Sequence, residues 1–493
     1  MKTNSLDFDA QALREKILDL AMRGKLVKQD PSDEPASVLL EKIKAEKAEL
    51  VKEKKIKKSK PLPEITDDEK PFDIPDSWEW VRLSEIGSII SGGTPKRSEK
   101  SYWDNANIPW ITPASMAATQ NEIVYKNDDL KFINKNGLEH SSAHLISANS
   151  IVVSSRAPIG YVNIVPFDYT TNQGCKSIVP YTYIENKYIY FVIKFTTPDM
   201  YKRASGTTFK EISGTRFGET VIPLPPLSEQ SRIAAKIAQL FALLRKVESS
   251  NQQYAKLQTL LKSKVLDLAM RGKLVKQDPN DEPASVLLEK IKAEKAELVK
   301  EKKIKKSKPL PEITDDEKPF AIPDSWEWVR LGDLGEIKGG KRVPKGKKLS
   351  DQKLYCPYIR VTDMRDNSVQ IKSLKYVDKE IYDQIYNYTI TSNDLYFSIA
   401  GTIGKVGAIP KSLSGALLTE NAAKITPYQI NLDYLVQILK SSIVSEQHNR
   451  ILSKVAQPKL SLIKLKQTFI PLPPLEEQKR IVTKITQLFA LQN

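Results

Sequence analysis

The stretch LDLAMRGKLVKQDP occurs twice in the 493-residue chain, at residues 18–31 and again at residues 266–279. It belongs to a longer repeat, because residues 16–83 return as residues 264–331 with changes only at Ile17/Val265, Ser32/Asn280 and Asp73/Ala321. A second block, IPLPPLSEQSRIAAKIAQLFAL at residues 222–243, returns as IPLPPLEEQKRIVTKITQLFAL at residues 470–491. Both blocks share an offset of 248 residues. This period is far too long for a solenoid, so it predicts two copies of a domain-sized unit.

The segment after the first PLPPL predicts a long helix from Ser228 to about Ala269. Its bulky residues alternate gaps of four and three, with two polar interruptions, at Ile233, Ile237, Leu240, Leu244, Val247, Tyr254, Leu261, Val265 and Leu268. Such a 3.5-residue repeat keeps one seam facing a partner helix. The two ends of the chain continue the same phase, at Leu13, Ile17 and Leu20 and at Ile481, Ile485 and Leu488. The two termini are therefore expected to form the split partner helix.

The fold class that follows is α/β. Two mixed α/β domains are joined by an antiparallel coiled coil of long helices with pseudo-twofold (circular) symmetry. The predicted boundaries are a shared helical region at 1–72, a first variable domain at 73–227, a central shared region at 228–320, a second variable domain at 321–475 and a terminal helix at 476–493. Two tandem domains without mutual contact are the alternative.

A second helix is predicted in each half, from Val38 and from Val286, over VLLEKIKAEKAELVKEKKIKKSK. The PLPEI that follows ends it, because proline cannot continue a helix. Its lysine-rich far end fits either a solvated arm or a docking or phosphate-facing surface.

Bulk composition narrows the class of protein. A net charge of +16 makes nucleic acid or another acidic partner plausible. Two cysteines, one in each half, argue against a disulfide framework and favour a reducing compartment. No apolar run approaches the roughly 20 residues that cross a bilayer, and the first residues contain no signal core. The expected location is the cytoplasm, without membrane contact.

A search for catalytic motifs favours a binding protein. GEIKGGKR at residues 335–342 resembles a phosphate-binding loop, but Arg342 replaces the metal-binding Ser or Thr. His140 and His144 lie one helical turn apart without the glutamate of a zinc motif. The Asn-Pro-Pro-aromatic and Asp-Pro-Pro-Tyr segments used to methylate exocyclic amines do not occur. We expect no catalytic residue, metal site or cofactor in this chain.

Candidate nucleic-acid contacts cluster in Gly- and Pro-rich loops of the variable domains. Lysine attracts phosphate without regard to sequence, whereas Arg, Asn and Gln can distinguish bases. The first domain contributes Thr94, Lys96, Arg97, Tyr102, Trp103, Arg156, Asn172, Gln173 and Lys176. The second domain contributes Lys341, Arg342, Lys345, Lys347, Lys348, Arg360, Arg365 and Asn421.

This layout resembles the specificity subunit of type I restriction-modification systems. The resemblance covers essentially the whole chain and rests on IPLPPLxEQxRI, LDLAMRGKLVxQDPxDEPA, SGGTPKRS, SSRAPIGYV, ASGTTFKEISG, IRVTDM and SIAGTIGKVG. It implies that the variable domains are target recognition domains, each reading one half of a split, asymmetric DNA sequence. The coiled coil would then act as a ruler for the unread spacer.

The same resemblance implies the partners. Two methyltransferase subunits, which bind S-adenosylmethionine and methylate adenine N6, would dock on the scaffold, and motor-nuclease subunits that use ATP and Mg would join them. The chain itself would be non-catalytic. The competing hypothesis is a protein-interaction scaffold with two divergent binding domains.

Overall fold

The computed structural model describes residues 9–56, 58, 61–118, 122–124, 130–156, 158–206, 210–306, 308–365, 367–452 and 458–491. These residues divide into two compact units, which we call the first unit (within residues 5–251) and the second unit (within residues 252–493). Among the described helices, none combines the length and apolar character needed to cross a membrane.

The first unit mixes helices with short strands. Its helices are α1 (Ala10–Met22), α2 (Ala36–Lys52), α3 (Leu83–Ile86), α4 (Pro113–Ala118), α5 (Lys135–Glu139), α6 (Asn186–Arg203), α7 (Gly214–Gly218) and the first part of α8 (Leu227–Met270). Its strands are β1 (Glu79–Arg82), β2 (Gly87–Ser91), β3 (Ile108–Ile111), β4 (Lys131–Ile133), β5 (Ser150–Ser155), β6 (Ile159–Val165), β7 (Thr170–Thr171), β8 (Cys175–Pro180) and β9 (Val221–Leu224).

The second unit begins with the last part of α8. Its further helices are α9 (Ala284–Lys300), α10 (Leu331–Leu334), α11 (Lys379–Ile385), α12 (Leu432–Leu439), α13 (Ser442–Leu452), α14 (Leu462–Lys466) and α15 (Leu475–Ala490). Its strands are β10 (Glu327–Arg330), β11 (Gly335–Gly339), β12 (Cys356–Ile359), β13 (Met364–Arg365), β14 (Ser368–Val369), β15 (Lys375–Val377), β16 (Thr389–Ile390), β17 (Leu395–Ser398), β18 (Val406–Ala408), β19 (Ala416–Leu418), β20 (Ala422–Pro427) and β21 (Phe469–Leu472).

The two units share one sheet topology, to which the second unit adds strand β16 and a β13-β14 ribbon. In the first unit the sheets have strand orders β1-β9, β2-β8-β5-β6 and β4-β3-β7, and in the second the corresponding orders are β10-β21, β11-β20-β17-β18 and β15-β12-β19-β16. The mixed sheet contains one parallel pair in each unit, β3 with β7 and β12 with β19. The α/β prediction is confirmed, and α8, at 44 residues, matches the predicted long helix closely.

The PLPPL segment turns a strand directly into the long helix. After β9, two prolines end the strand, and the backbone N–H of Gln230 donates to the carbonyl of Pro226 (2.9 Å). The side chain of Gln230 is fully buried, donates to the Pro225 carbonyl (2.9 Å) and accepts from the backbone N–H of Glu185 (3.1 Å). A buried amide with both ends bonded fixes where α8 begins.

A buried carboxylate stands beside that amide in each unit. In the first unit, Glu229 accepts hydrogen bonds from Trp78 Nε1 (2.8 Å) and Gln29 Nε2 (2.5 Å). In the second unit, Glu477 accepts from Trp326 Nε1 (2.9 Å) and Gln277 Nε2 (2.6 Å). Burial raises the pKa of each carboxyl, and the donated bonds work against that rise.

The end of α1 explains the glycine in the repeated AMRGKL. Gly24 has a φ of 66°, and a Cβ there would lie 2.4 Å from Cγ of Pro75. Gly272 repeats this geometry against Pro323, with the same φ and distance. A left-handed residue without a side chain both ends the helix and admits the proline.

Within each unit the shared helices pack antiparallel. Arg14 of α1 bonds Glu248 (2.5 Å), and farther along the chain Asp33 bonds Arg232 (2.6 Å). Because the residue numbers of the paired residues rise along one segment and fall along the other, the two segments run antiparallel. In the second unit, Lys262 of α8 lies over the Phe489 ring of α15 (5.8 Å to the ring centre), and farther along the chain Asp281 bonds Arg480 (2.5 Å), which gives the same direction.

The predicted seam is buried at both ends of α8. Ile233 and Ile237 are fully buried in the first unit, and Val265 is 6% exposed in the second. In the middle, by contrast, Tyr254 is 57% and Leu261 50% exposed to solvent. The described residues therefore pack against the two ends of the seam and leave its centre exposed.

The helices α2 and α9 are shorter than predicted, because they end at Lys52 and Lys300 rather than continuing to PLPEI. Lys54 adopts a φ of 60°, and the N–H groups of Lys55 and Ile56 donate to the carbonyl of Leu50 (3.0 and 3.3 Å). This turn brings Ile56 against the core together with Leu50. Packing of the partly buried Ile56 thus accompanies the end of the helix before its lysine-rich tail.

We predict that Glu477→Ala destabilises the second unit by about 1–3 kcal/mol, because Trp326 Nε1 and Gln277 Nε2 lose their acceptor. The neighbouring Glu476→Ala is the control, since Glu476 is 61% exposed and pairs with Lys479. Its expected effect is about 0–1 kcal/mol. Thermal unfolding followed by tryptophan fluorescence measures both variants, and equal losses would contradict a structural role for the buried carboxylate.

Candidate nucleic-acid interface

In each unit a Gly-rich loop lies against a tight turn. In the first unit, Gly93 N–H donates to the Thr171 carbonyl (2.9 Å), and in the second, Lys341 N–H donates to the Leu418 carbonyl (2.9 Å). A Cβ on Gly92 would lie 2.0 Å from the Asn172 carbonyl oxygen, and one on Gly340 would lie 2.1 Å from that of Thr419. The glycines therefore allow the loop to approach the turn closely. Side chains from the loop and side chains from the turn come together at this point.

The turn between β7 and β8 gathers several of the predicted residues. Gln173 is exposed at its tip, and Thr94 Oγ1 from the Gly-rich loop donates to Gln173 Oε1. Asn172 supports the turn instead, because its Oδ1 accepts from Gly174 N–H (3.0 Å). Lys176 is 5% exposed, and its Nζ donates to the Gln173 carbonyl (3.0 Å). Of this group, Gln173 and Thr94 are the side chains best placed to meet a ligand.

A carboxylate that was not predicted from the sequence lies beside two of the predicted cations. Glu211 lies 3.8 Å from Arg156 and 3.5 Å from Lys176. Its backbone also pairs with Ser205 through two hydrogen bonds (2.8 and 3.1 Å). Glu211 thus lies beside both cations at the edge of the turn.

The aromatic residues of the first loop pack on the domain itself. The Tyr102 ring stacks on His140 (5.9 Å between centroids), and the Trp103 ring meets Trp110 edge-on (5.4 Å). Trp103 Nε1 donates to the Lys96 carbonyl (3.3 Å). These contacts hold the exposed Lys96 and Arg97 out on the loop.

The second unit has an open cleft of about 620 Å³ at the corresponding place. Five predicted residues line it, namely Arg342, Lys345, Lys347, Arg360 and Asn421. Lys341 and Lys348 are exposed beside it on the same loop. Arg365 lies on β13, outside the residues that line the cleft.

Carboxylates hold the arginines of this cleft. Arg342 Nε donates to Glu420 Oε1 (2.6 Å), while Thr419 Oγ1 donates to Glu420 Oε2 (3.0 Å). Partial burial would raise the pKa of Glu420, but the bonds from Arg342 and Thr419 outweigh it and lower the pKa below its ordinary value. Arg360 binds the fully buried Asp363 through Nε (3.0 Å) and Nη2 (2.8 Å).

Lysines of the cleft also have partners. Lys347 Nζ lies 2.5 Å from Glu380, and Lys341 Nζ lies 5.7 Å from the centre of the Tyr388 ring. Glu420, Asp363 and Glu380 were not predicted from the sequence, because the composition of the loops points to their cations. The signal for Glu420 was available in TENAAK, where an acid follows the strand at the place of TNQGCK.

Comparison with known proteins gives the family context. The family model described as "Type I restriction modification DNA specificity domain" matches residues 75–258 and 323–493. The Escherichia coli type I restriction enzyme EcoAI specificity subunit is 34% identical over 99% of this chain and 90% of its own length. The EcoEI specificity subunit of the same organism is 30% identical over 98% of this chain and 89% of its own.

A solved structure gives the same result for the fold. It is described as the structural basis underlying complex assembly and conformational transition of the type I R-M system. It aligns with a TM-score of 0.57 at 20% identity, over 86% of this chain and 92% of the other.

We predict that Lys345→Ala with Lys347→Ala weakens binding to all DNA sequences and flattens its salt dependence, because each lost phosphate contact lowers the slope of log K against log salt by about 0.9. Titration of labelled duplexes at several salt concentrations measures the slope. Lys479→Ala with Lys484→Ala, on exposed positions of α15, removes the same charge elsewhere and is the control. An unchanged slope in the cleft variant would refute this assignment.

Proposed function

The chain belongs to the type I restriction-modification DNA specificity family, and from this we propose that it reads a bipartite, asymmetric DNA target with its two recognition domains. The observation that carries the proposal is the repetition of one loop-and-turn frame with different side chains. Thr94 and Gln173 meet in the first unit, whereas Arg342 and Glu420 meet in the second. Two copies of the same loop and turn that present different side chains are suited to two half-sites of different sequence.

The proposal assigns the chemistry to partner subunits. Two methyltransferase subunits bind S-adenosylmethionine and methylate adenine N6, and motor-nuclease subunits use ATP and Mg for restriction. This chain then supplies recognition and positioning but no catalytic residue, cofactor or metal. The near-identity of residues 16–83 and 264–331 supports two equivalent binding sites for one type of partner subunit.

The first test is a map of N6-methyladenine in cells that carry the complete system, with this gene present or deleted. We expect one bipartite, asymmetric motif to lose methylation on deletion and to regain it when the gene is restored. A protein-interaction scaffold without DNA recognition predicts an unchanged map. Expression of the partner methyltransferase is verified in both strains, so that an unchanged map counts against the proposal.

The proposal also gives α8 the role of setting the spacer between half-sites. Residues 249–257 are all exposed, so a heptad can be removed there without deleting a buried side chain. Deleting residues 250–256, with a matching trim of the split partner helix, is expected to shorten the preferred spacer. The methylation map of this variant gives the spacer directly, and the original spacer would refute the ruler role.

A further inference from the structure

The backbone hydrogen bonds show which residues of the two turns correspond. Four bonds of the first unit recur in the second: Gly93 to Thr171 as Lys341 to Leu418, Asn172 to Ile111 as Thr419 to Ile359, Cys175 to Asn172 as Ala422 to Thr419, and Ser155 to Gly174 as Ile399 to Asn421. In this alignment Gln173 corresponds to Glu420. Alignment on the shared lysine of TNQGCK and TENAAK would instead pair Gln173 with Asn421, so the structure shifts the turn by one residue.

The partner on the facing loop corresponds as well. Thr94 and Arg342 are 248 residues apart, as the repeat requires, and each bonds the turn side chain opposite it. Asn172 and Thr419 also match in role, because each side chain accepts from the backbone N–H two residues on (3.0 and 3.5 Å). The turn thus has the same hydrogen-bonded structure in both units. Its tip is Gln173 in the first unit and Glu420 in the second.

A carboxylate at this tip restricts what it can meet on DNA. Phosphate oxygens repel Glu420, and its ordinary DNA partner is an exocyclic amine, above all N4 of cytosine. A glutamine amide both donates and accepts, which matches N6 and N7 of adenine. Arg342 is bonded to Glu420 through Nε and its side chain is 79% exposed, so its terminal nitrogens can meet O6 and N7 of guanine.

We propose that Gln173 and Glu420 are the matched base-reading residues of the two recognition domains. Gln173 reads an adenine, and Glu420 together with Arg342 reads one guanine–cytosine pair. The inference rests on the proposed function and adds the base class at one position of each half-site. Thr94 holds the Gln173 amide in its reading orientation.

The test measures binding by the assembled complex to a panel of duplexes, each with one base pair of the wild-type motif replaced. For Glu420→Gln, we expect discrimination at one G·C pair of the second half-site to fall by roughly 5- to 150-fold, because the contact to cytosine is lost while that of Arg342 to guanine remains. Discrimination at every other position stays as in the wild type. Asp383→Asn, on α11 and paired with Lys379, is the matched loss of a carboxylate in the same unit and leaves the panel unchanged.

Gln173→Glu tests the same idea independently on an exposed side chain, and there we expect the preferred base at one position of the first half-site to change from adenine to cytosine. A purely structural role for the turn tip predicts a uniform loss over the half-site. That uniform loss, or an unchanged panel for both variants, overturns the inference. A wild-type complex that discriminates at no position would instead refute the proposed function.

Discussion

The structure of each unit depends on a buried carboxylate near the start of one helix, α8 in the first unit and α15 in the second. Glu229 and Glu477 lie just after two prolines and join a tryptophan at the strand edge to a glutamine of the repeated loop. Burial raises the pKa of both, and such a group is tolerated inside a protein only when donors surround it. Because the three joined segments are far apart in sequence, this one interaction fixes the helix, the shared loop and the recognition domain relative to each other within a unit.

A backbone framework fixed in this way can present different side chains in the two units. The strand pairings recur from one unit to the other, including the parallel pair that leads into the turn. Glycines at Gly92 and Gly340 keep loop and turn in contact, so substitutions of exposed neighbours change chemistry without changing the path of the backbone. The second unit adds strand β16 and the β13-β14 ribbon, and four cations line its cleft. At the loop and the turn, the two units therefore differ mainly in their side chains, which are attached to the same backbone geometry.

Much of this was predictable from the sequence, for identifiable reasons. A 3.5-residue repeat over many turns predicted α8, and prolines predicted its start. The ends of α2 and α9 were not predictable, because burial of Ile56 beside Leu50 outweighs a run of good helix formers. Loop composition predicted the cations of the cleft but not their carboxylate partners. The one-residue shift that pairs Glu420 with Gln173 could not be seen in the sequence, because TNQGCK and TENAAK align on their shared lysine. The backbone hydrogen bonds of the two turns reveal this shift.

Under the proposed function, pairing of the cations with carboxylates affects how the two domains select DNA. Arg156, Arg342 and Lys347 each face a glutamate, and exposed pairs of this kind contribute only about 0–1 kcal/mol to stability. Their effect is to hold long side chains in one orientation before DNA arrives, which reduces the entropy lost on binding. They also moderate attraction to arbitrary phosphates, because a wrong sequence must compete with the carboxylate without offering a base contact in return. Discrimination then comes from the difference between target and non-target DNA.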